Sequence, residues 1–382
     1  MNPIYLDSHA TTPVDPRVLE TMLPFFTEHF GNASSRNHPF GWKAGKAVEQ
    51  AREQVGKLIG ARFRDVVFTS GATESNNLAI KGLAARAPES RRHIVTIATE
   101  HRAVLDPCRA LEHRGFRVTY LEVDDEGRLD LGRLRDAVHD DTLLVTAMSA
   151  NNEIGVLHPL AEIAEIAHAQ GATFHCDAAQ SAGIIPLEAK EIGADLVSLS
   201  AHKMYGPKGI GALYVAKRDP AVDLEALIDG GGHERGYRSG TLNVPAIVGF
   251  GRAAELCRAD ANADAARSRA LRDRLWSALS TVDGIHMNGA IEPRLPNNLN
   301  VRIDGVHGES LLKAIAGVVA VSSGAACATV SAEPSHVLRA IGLSDEAARA
   351  SIRFGIGRFT TEQEIDTSAT VVIDAVRSLR RR

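Results

Sequence analysis

Seven short β-branched runs alternate with helical patterns between Val66 and Val215. A chain patterned this way winds its strands through one largely parallel sheet with helices covering both faces. The runs are Val66–Thr69, His93–Ile97, Val118–Glu122, Leu143–Ala147, Thr173–Asp177, Leu196–Ser200 and Gly211–Val215. Between them, Leu78–Ala85, Val104–His113 and Leu160–Ala169 carry apolar residues at three- and four-residue spacings and read as helices. The alternation stops after Gly230-Gly231-Gly232. A helical stretch rich in Ala, Arg and Leu then runs from about Pro245 to Leu279, followed by a strand near Asn300–Ile303 and a last helix after Thr361. On that helix Ile365, Ala369, Val372, Val376 and Leu379 share one face, and Thr361 with Glu364 makes a capping-box start. The expectation is an α/β protein with residues 15–250 as a large domain, and 1–14 with 251–382 as a smaller α+β lobe.

A chain of 382 residues that is 44% apolar and 24% charged has enough material for such a core. The formal charge of -4 gives no overall attraction to nucleic acid or anionic lipid, so no direct nucleic-acid binding is expected. The N-terminus lacks a basic start followed by an apolar core, and no apolar run is long enough to cross a bilayer. These features predict a cytoplasmic protein away from membranes. Cys108, Cys176, Cys257 and Cys327 lie far apart, which suits reduced thiols better than a disulfide framework or a metal site.

Polar residues gather where the predicted strands end. Lys203, in Ser200-Ala201-His202-Lys203, follows a buried strand at the place where open α/β sheets bind ligands, and there it can be desolvated and form a Schiff base. An arbitrary lysine is a solvated surface residue; the neighbours change the reading. Asp177 ends another strand and can pair with a protonated pyridine nitrogen. Ser70-Gly71-Ala72-Thr73-Glu74-Ser75-Asn76 follows a strand and opens a helix, so its free backbone amides and the Thr73 hydroxyl can hold a phosphate. It has neither the Walker lysine spacing nor the dinucleotide fingerprint. His101, Asn152 and Gln180 complete a series of polar positions after successive strands.

At this point the chain resembles the cysteine desulfurases, in the class V aminotransferase group of fold type I pyridoxal-phosphate enzymes. The likeness is carried by Leu6-Asp7 with Ala10-Thr11-Thr12-Pro13, Phe68-Thr69-Ser70-Gly71-Ala72-Thr73-Glu74-Ser75, Asn151-Asn152-Glu153-Ile154-Gly155, His202-Lys203, Arg238-Ser239-Gly240-Thr241 and Ser322-Ser323-Gly324-Ala325-Ala326-Cys327. It implies pyridoxal 5'-phosphate as cofactor, bound to Lys203 as a Schiff base, with Asp177 on the ring nitrogen, His101 stacked on the ring and Gln180 at the phenolic oxygen. It further implies that Ala72, Thr73, Ser200 and His202 hold the phosphate, with Thr241 reaching it from the second subunit of a homodimer. Asn152 and Arg353 would orient the substrate carboxylate, a task suited to an arginine fork.

The same resemblance implies that L-cysteine is the substrate, that the freed Lys203 amine takes its Cα proton, and that the Cys327 thiolate takes its sulfur as a persulfide while alanine leaves. Either His101 or the substrate amine removes the thiol proton. A selenocysteine lyase or a class V aminotransferase would share the cofactor site. Cys327, among small residues that let a loop move, favours the desulfurase, whereas Cys108, Cys176 and Cys257 sit in apolar patterns and read as structural. The sulfur would pass to a protein acceptor: an iron-sulfur scaffold, a tRNA-thiolation relay or DNA phosphorothioation machinery. Three departures from the family pattern stand out: Ala33 where proline is usual, alanines beside Cys327 where serines are common, and an end at Arg382 where scaffold-serving members continue. The last suggests weak scaffold binding and a more specialised acceptor, with the basic end Arg377–Arg382 facing an acidic surface of it.

Overall fold

The β-branched runs pair edge to edge into a seven-stranded sheet. A computed structural model describes residues 3–323 and 333–381. In chain order the strands are β1 (Ile4–Tyr5), β2 (Val66–Thr69), β3 (His93–Ile97), β4 (Arg117–Leu121), β5 (Thr142–Met148), β6 (Thr173–Asp177), β7 (Leu196–Ser200), β8 (Gly211–Val215), β9 (Ile285–Met287), β10 (Asn298–Ile303), β11 (Val319–Ala320), β12 (Ser322–Ser323) and β13 (Ser351–Gly355). The large sheet has the order β2-β8-β7-β6-β5-β3-β4. All neighbours in it are parallel except β8, which runs against both β2 and β7.

Every residue of β5, β6, β7 and β8 is buried, which explains why these segments read as nearly continuous apolar runs. Their side chains still alternate between two cores. Ile94, Leu144, Leu196 and Leu213 enter one, while Val95, Val145, Phe174, Val197 and Ala212 enter the other. His175 crosses this interior between Thr146 and Ser198, its ring nitrogens 2.8 and 2.9 Å from their hydroxyl oxygens. Burial pushes it down to about 4, so the ring is neutral.

The helix Val244–Leu279 links two regions: Ile247, Phe250 and Cys257 belong to a core against the large sheet, and Leu271, Leu275 and Leu279 to a second core. That second core contains Leu6, Val301, Phe354, Val372 and Val376, and lies against the antiparallel sheet β12-β13-β10-β9. The last helix spans Glu362–Arg380 and begins with the expected Thr361–Glu364 capping box.

One buried ion pair fixes a loop that the site depends on. Arg52 donates two hydrogen bonds, 2.6 and 2.8 Å, to the carboxylate of Glu234, which also accepts the Phe68 amide of β2 at 2.7 Å. Glu234 and Arg235 hold positive φ angles of 48° and 58°, a conformation that costs free energy outside glycine and persists only where the surroundings impose it. The pair therefore pins the segment leading to Arg238-Ser239-Gly240-Thr241 against β2.

Candidate active site

The turns after β2, β5, β6 and β7, together with His101 beyond β3, enclose a cavity of about 480 Å³. Its wall includes Ala72, Thr73, His101, Asn152, Asp177, Gln180, Ser200, His202 and Lys203, so residues far apart in sequence meet at one rim of the sheet. This is where open α/β sheets bind ligands, because helix N-termini and strand ends converge there.

At one end of the cavity β2 runs into a helical segment that starts at Ala72 and continues, through a wide π turn at Leu78–Gly82, to Ala85. Gly71 has φ 152°, which L residues rarely adopt, and a Cβ on Gly211 would lie 2.6 Å from the Gly71 Cα. The two glycines let backbone pack on backbone, leaving the amides at the helix start open to an anion. His202 stands beside this cradle with Nδ1 3.1 Å from the Thr11 hydroxyl oxygen. Burial and the charges of Lys203 and Lys208 push it down to about 4. In the neutral ring one nitrogen donates and the other accepts.

Asp177 ends β6 on the wall of the same cavity. Its Oδ2 accepts from Asn76 Nδ2 at 2.7 Å and its Oδ1 from the Ala179 amide at 2.9 Å. Lys203 lies in the short turn after β7, where its Nζ donates to the His9 carbonyl. His101 caps the helix Arg102–Glu112, its Nδ1 accepting the Ala103 amide at 3.0 Å. A lysine, an aspartate with both oxygens fixed, an imidazole and an amide cradle are the groups that pyridoxal phosphate needs, and these residues fit it.

Two predicted residues stand off the wall. Arg353, in β13, is 2% exposed. It donates to the Asn152 carbonyl at 2.9 Å and to Asp7 Oδ1 at 2.8 Å, so it backs a cavity residue. Its buried Nε has no hydrogen-bond partner among the described residues, which leaves a donor for a carboxylate. Thr241 does not line the cavity of its own chain. Cys327 lies outside the described residues.

Several contributors went unread in the sequence. His9 is fully buried, lies 3.0 Å from Gln180 Oε1 through Nδ1, and is pushed down to about 3 by burial and by Arg353. Its signal was adjacency to the Ala10-Thr11-Thr12-Pro13 segment. Asn76, which orients Asp177, lies three residues after Thr73 and so on the same helix face.

Glu153 is a third. It is buried, and its Oε2 accepts from the Ser335 hydroxyl at 2.5 Å. Burial raises its carboxyl to about 7 despite that bond and the nearby Arg353. Because the folded value lies above the ordinary one, the unfolded chain releases this proton first as pH rises. The stability it contributes is complete below about 4.5 and is lost as pH passes 7, up to about 3 kcal/mol. Thermal denaturation should therefore show a larger drop in melting temperature between pH 5 and pH 8 for the natural chain than for Glu153→Gln. Equal drops would show that Glu153 does not titrate in that range.

Residues 4–367 match the model of the Aminotransferase class-V family. The chain is 58% identical over 379 residues, 99% of its length and 93% of the relative's, to "Cysteine desulfurase IscS" of Anaeromyxobacter sp. (strain Fw109-5). Among solved structures it superposes on one titled "NIFS-LIKE PROTEIN" with a TM-score of 0.91 at 37% identity, all of both chains being covered. A second, titled "SspA in complex with cysteine", gives a TM-score of 0.82 at 37% identity and covers 94% of this chain and all of that one. The chain belongs to the class-V aminotransferase family and has the fold type I architecture of its pyridoxal-phosphate enzymes. Within that family it is a pyridoxal-phosphate-dependent cysteine desulfurase. Among the described residues, no helix is long and apolar enough to cross a membrane.

Proposed function

We propose that the chain moves the sulfur of L-cysteine onto Cys327, releases L-alanine, and passes the sulfur to a protein acceptor. The observation that carries this reading is the joining of Lys203, Asp177, His101 and the Ala72–Thr73 cradle around one cavity. Lys203 would tether the cofactor, Asp177 would pair with its ring nitrogen, His101 would stack on the ring and Gln180 would meet the phenolic oxygen. Ala72, Thr73, Ser200 and His202 would hold the phosphate. When bound, pyridoxal 5'-phosphate supplies an electron sink for the charge left at the substrate Cα.

The chain's own groups do the rest. Asn152 and Arg353, whose buried Nε has no hydrogen-bond partner among the described residues, would bind the substrate carboxylate and so fix its orientation. The Lys203 amine, once released, takes the Cα proton. Cys327 then attacks the substrate sulfur as a thiolate: a sulfur–sulfur bond forms, the Cβ–S bond breaks with its electron pair staying on Cβ, Cβ takes a proton, and the proton held by Lys203 returns to Cα to give alanine. The thiol proton goes to His101 or to the substrate amine. On His101 the receiving atom is Nε2, since Nδ1 is engaged by the Ala103 amide.

Two further observations support Cys327 as the nucleophile. Cys108, Cys176 and Cys257 are buried. Burial raises all three thiols, Cys108 to about 12 and Cys257 to about 11, so none supplies a thiolate near neutral pH. The residues flanking the segment that carries Cys327 are tied to the carboxylate end of the site: Ser322 donates to Asp7, the partner of Arg353, and Ser335 donates to Glu153.

The homodimer is proposed on the surface. Leu23, Phe26, Phe30, Phe40 and Trp42 are each more than half exposed, and Phe30 and Phe40 pack ring to ring at 5.4 Å. Apolar exposure on this scale marks an interface, and a second copy there would account for Thr241 lying off the cavity of its own chain. Residues 15–250 as one domain, with 1–14 and 251–382 as the other, are supported by the separate cores at the two ends of the helix Val244–Leu279.

Incubating the purified holoenzyme with L-cysteine and a thiol reductant, without any keto acid, should yield alanine and sulfide in equal amounts. Turnover that requires a keto acid and yields no sulfide would make the protein an aminotransferase instead.

A further inference from the structure

Beside Asp177 lies a second carboxyl group that the chemistry above does not use. Glu100 sits in the turn between β3 and the helix Arg102–Glu112 and is 0% exposed. Its Oε1 accepts the backbone amide of Met148, the residue that pairs with Asp177 across β5 and β6. Its Oε2 is buried with no hydrogen-bond partner in ordinary geometry among the described residues. The Glu100 carbonyl is also held, 2.9 Å from Nε2 of His336. Through these contacts Glu100 fastens the turn carrying His101 onto the end of β5.

Two neighbouring buried carboxyl groups cannot both ionise at low cost. Hydrogen bonding decides which of them keeps the charge. Asp177 accepts two donors, from Asn76 and from the Ala179 amide, and both favour its carboxylate. Glu100 has one amide donor in ordinary geometry, from Met148 on Oε1, with the His101 amide near it in poorer geometry, and an ion there would forgo its hydration with little return. The groups around it bring no positive charge to offset this: Asp177 on β6, the Cys176 thiol beside it, the Cys108 thiol on the following helix, and the His101 backbone amide. Burial and Asp177 accordingly raise the Glu100 carboxyl well above the usual range.

We propose that Glu100 is a positioning residue, an uncharged carboxylic acid that holds the His101 turn against β5 and leaves Asp177 as the single anion at the ring end of the cavity. The proposal rests on the reading of Asp177 as partner of the cofactor's ring nitrogen.

The test compares Glu100→Gln and Glu100→Ala with the natural protein. Glutamine keeps the shape and the acceptor for the Met148 amide and carries no charge, so it mimics the protonated acid. The infrared difference between the natural protein and Glu100→Gln, in which the Glu153 contribution cancels, should show the carbonyl stretch of a protonated carboxylic acid at neutral pH, with and without cofactor. The pH titration of the cofactor's visible absorption should stay in place in Glu100→Gln, with L-cysteine turnover within about threefold of the natural protein. Glu100→Ala, with the Met148 amide unpaired and His101 less firmly held, should lose turnover by at least about tenfold. Absence of the band at neutral pH would overturn the proposal. So would a Glu100→Gln protein whose visible titration moves by about one pH unit or more, or whose turnover falls as far as that of the alanine variant. The infrared band needs neither substrate nor cofactor, so its absence is separable from any failure of the desulfurase reading. If Glu100→Ala does not fold, the glutamine variant and the band still decide.

Discussion

Lys203→Ala is expected to be colourless and inactive. The side chain stands on the cavity wall, and its removal would take away both the proposed covalent tether and the amine proposed to accept the Cα proton. General base catalysis alone accounts for roughly 10²- to 10⁴-fold in rate, and losing the tether adds to that, so alanine formation should fall by at least about a thousandfold. The fold should survive, since Lys203 is not part of a hydrophobic core. Absorption spectra and alanine assays on the purified variant check both points. A variant that keeps the visible band after dialysis, or retains substantial turnover, would place the tether elsewhere.

Cys327→Ser should separate cofactor chemistry from sulfur transfer. The residues proposed to hold the cofactor are untouched, so the visible band should remain and should still change when L-cysteine is added. No persulfide should form, because a hydroxyl is not ionised near neutral pH and the buried Cys108, Cys176 and Cys257 thiols cannot replace it. Turnover should drop on the order of a thousandfold or more, the usual scale for loss of a nucleophile. Alanine release at the natural rate in this variant would show that the sulfur leaves without that thiol.

How much of this was legible beforehand depends on whether a feature is local. Strand positions were readable because burial on both faces leaves unbroken β-branched runs; β2, β3, β6, β7 and β8 have the expected bounds, while β4 and β5 differ by one residue at their ends. The reversed direction of β8 was not expected, since a strand buried on both faces has the same composition either way round. The clue was length: only 201–210 separate β7 from β8, too short for the crossover that a parallel neighbour needs. Residues at the cavity were legible where a single strand end presents them, as with Asp177 and Lys203. Contacts made through distant chain were not. Arg353 entered the sequence reading only through the resemblance, and nothing local tells that Asp7 and the Asn152 carbonyl hold it behind the wall. Glu153 and Glu100 read as ordinary charged residues, and their burial follows only from the way β3, β5, β6 and the segment near Ser335 close over them.

Mapping the persulfide tests the central claim most directly. The holoenzyme would be given L-cysteine without reductant, exposed thiols and persulfides alkylated, and the peptides analysed by mass spectrometry. One added sulfur on the peptide containing Cys327, matched by one alanine released per site and absent without L-cysteine, is the result predicted. Extra sulfur on Cys108, Cys176 or Cys257, or alanine release with no added sulfur on any cysteine, would contradict it.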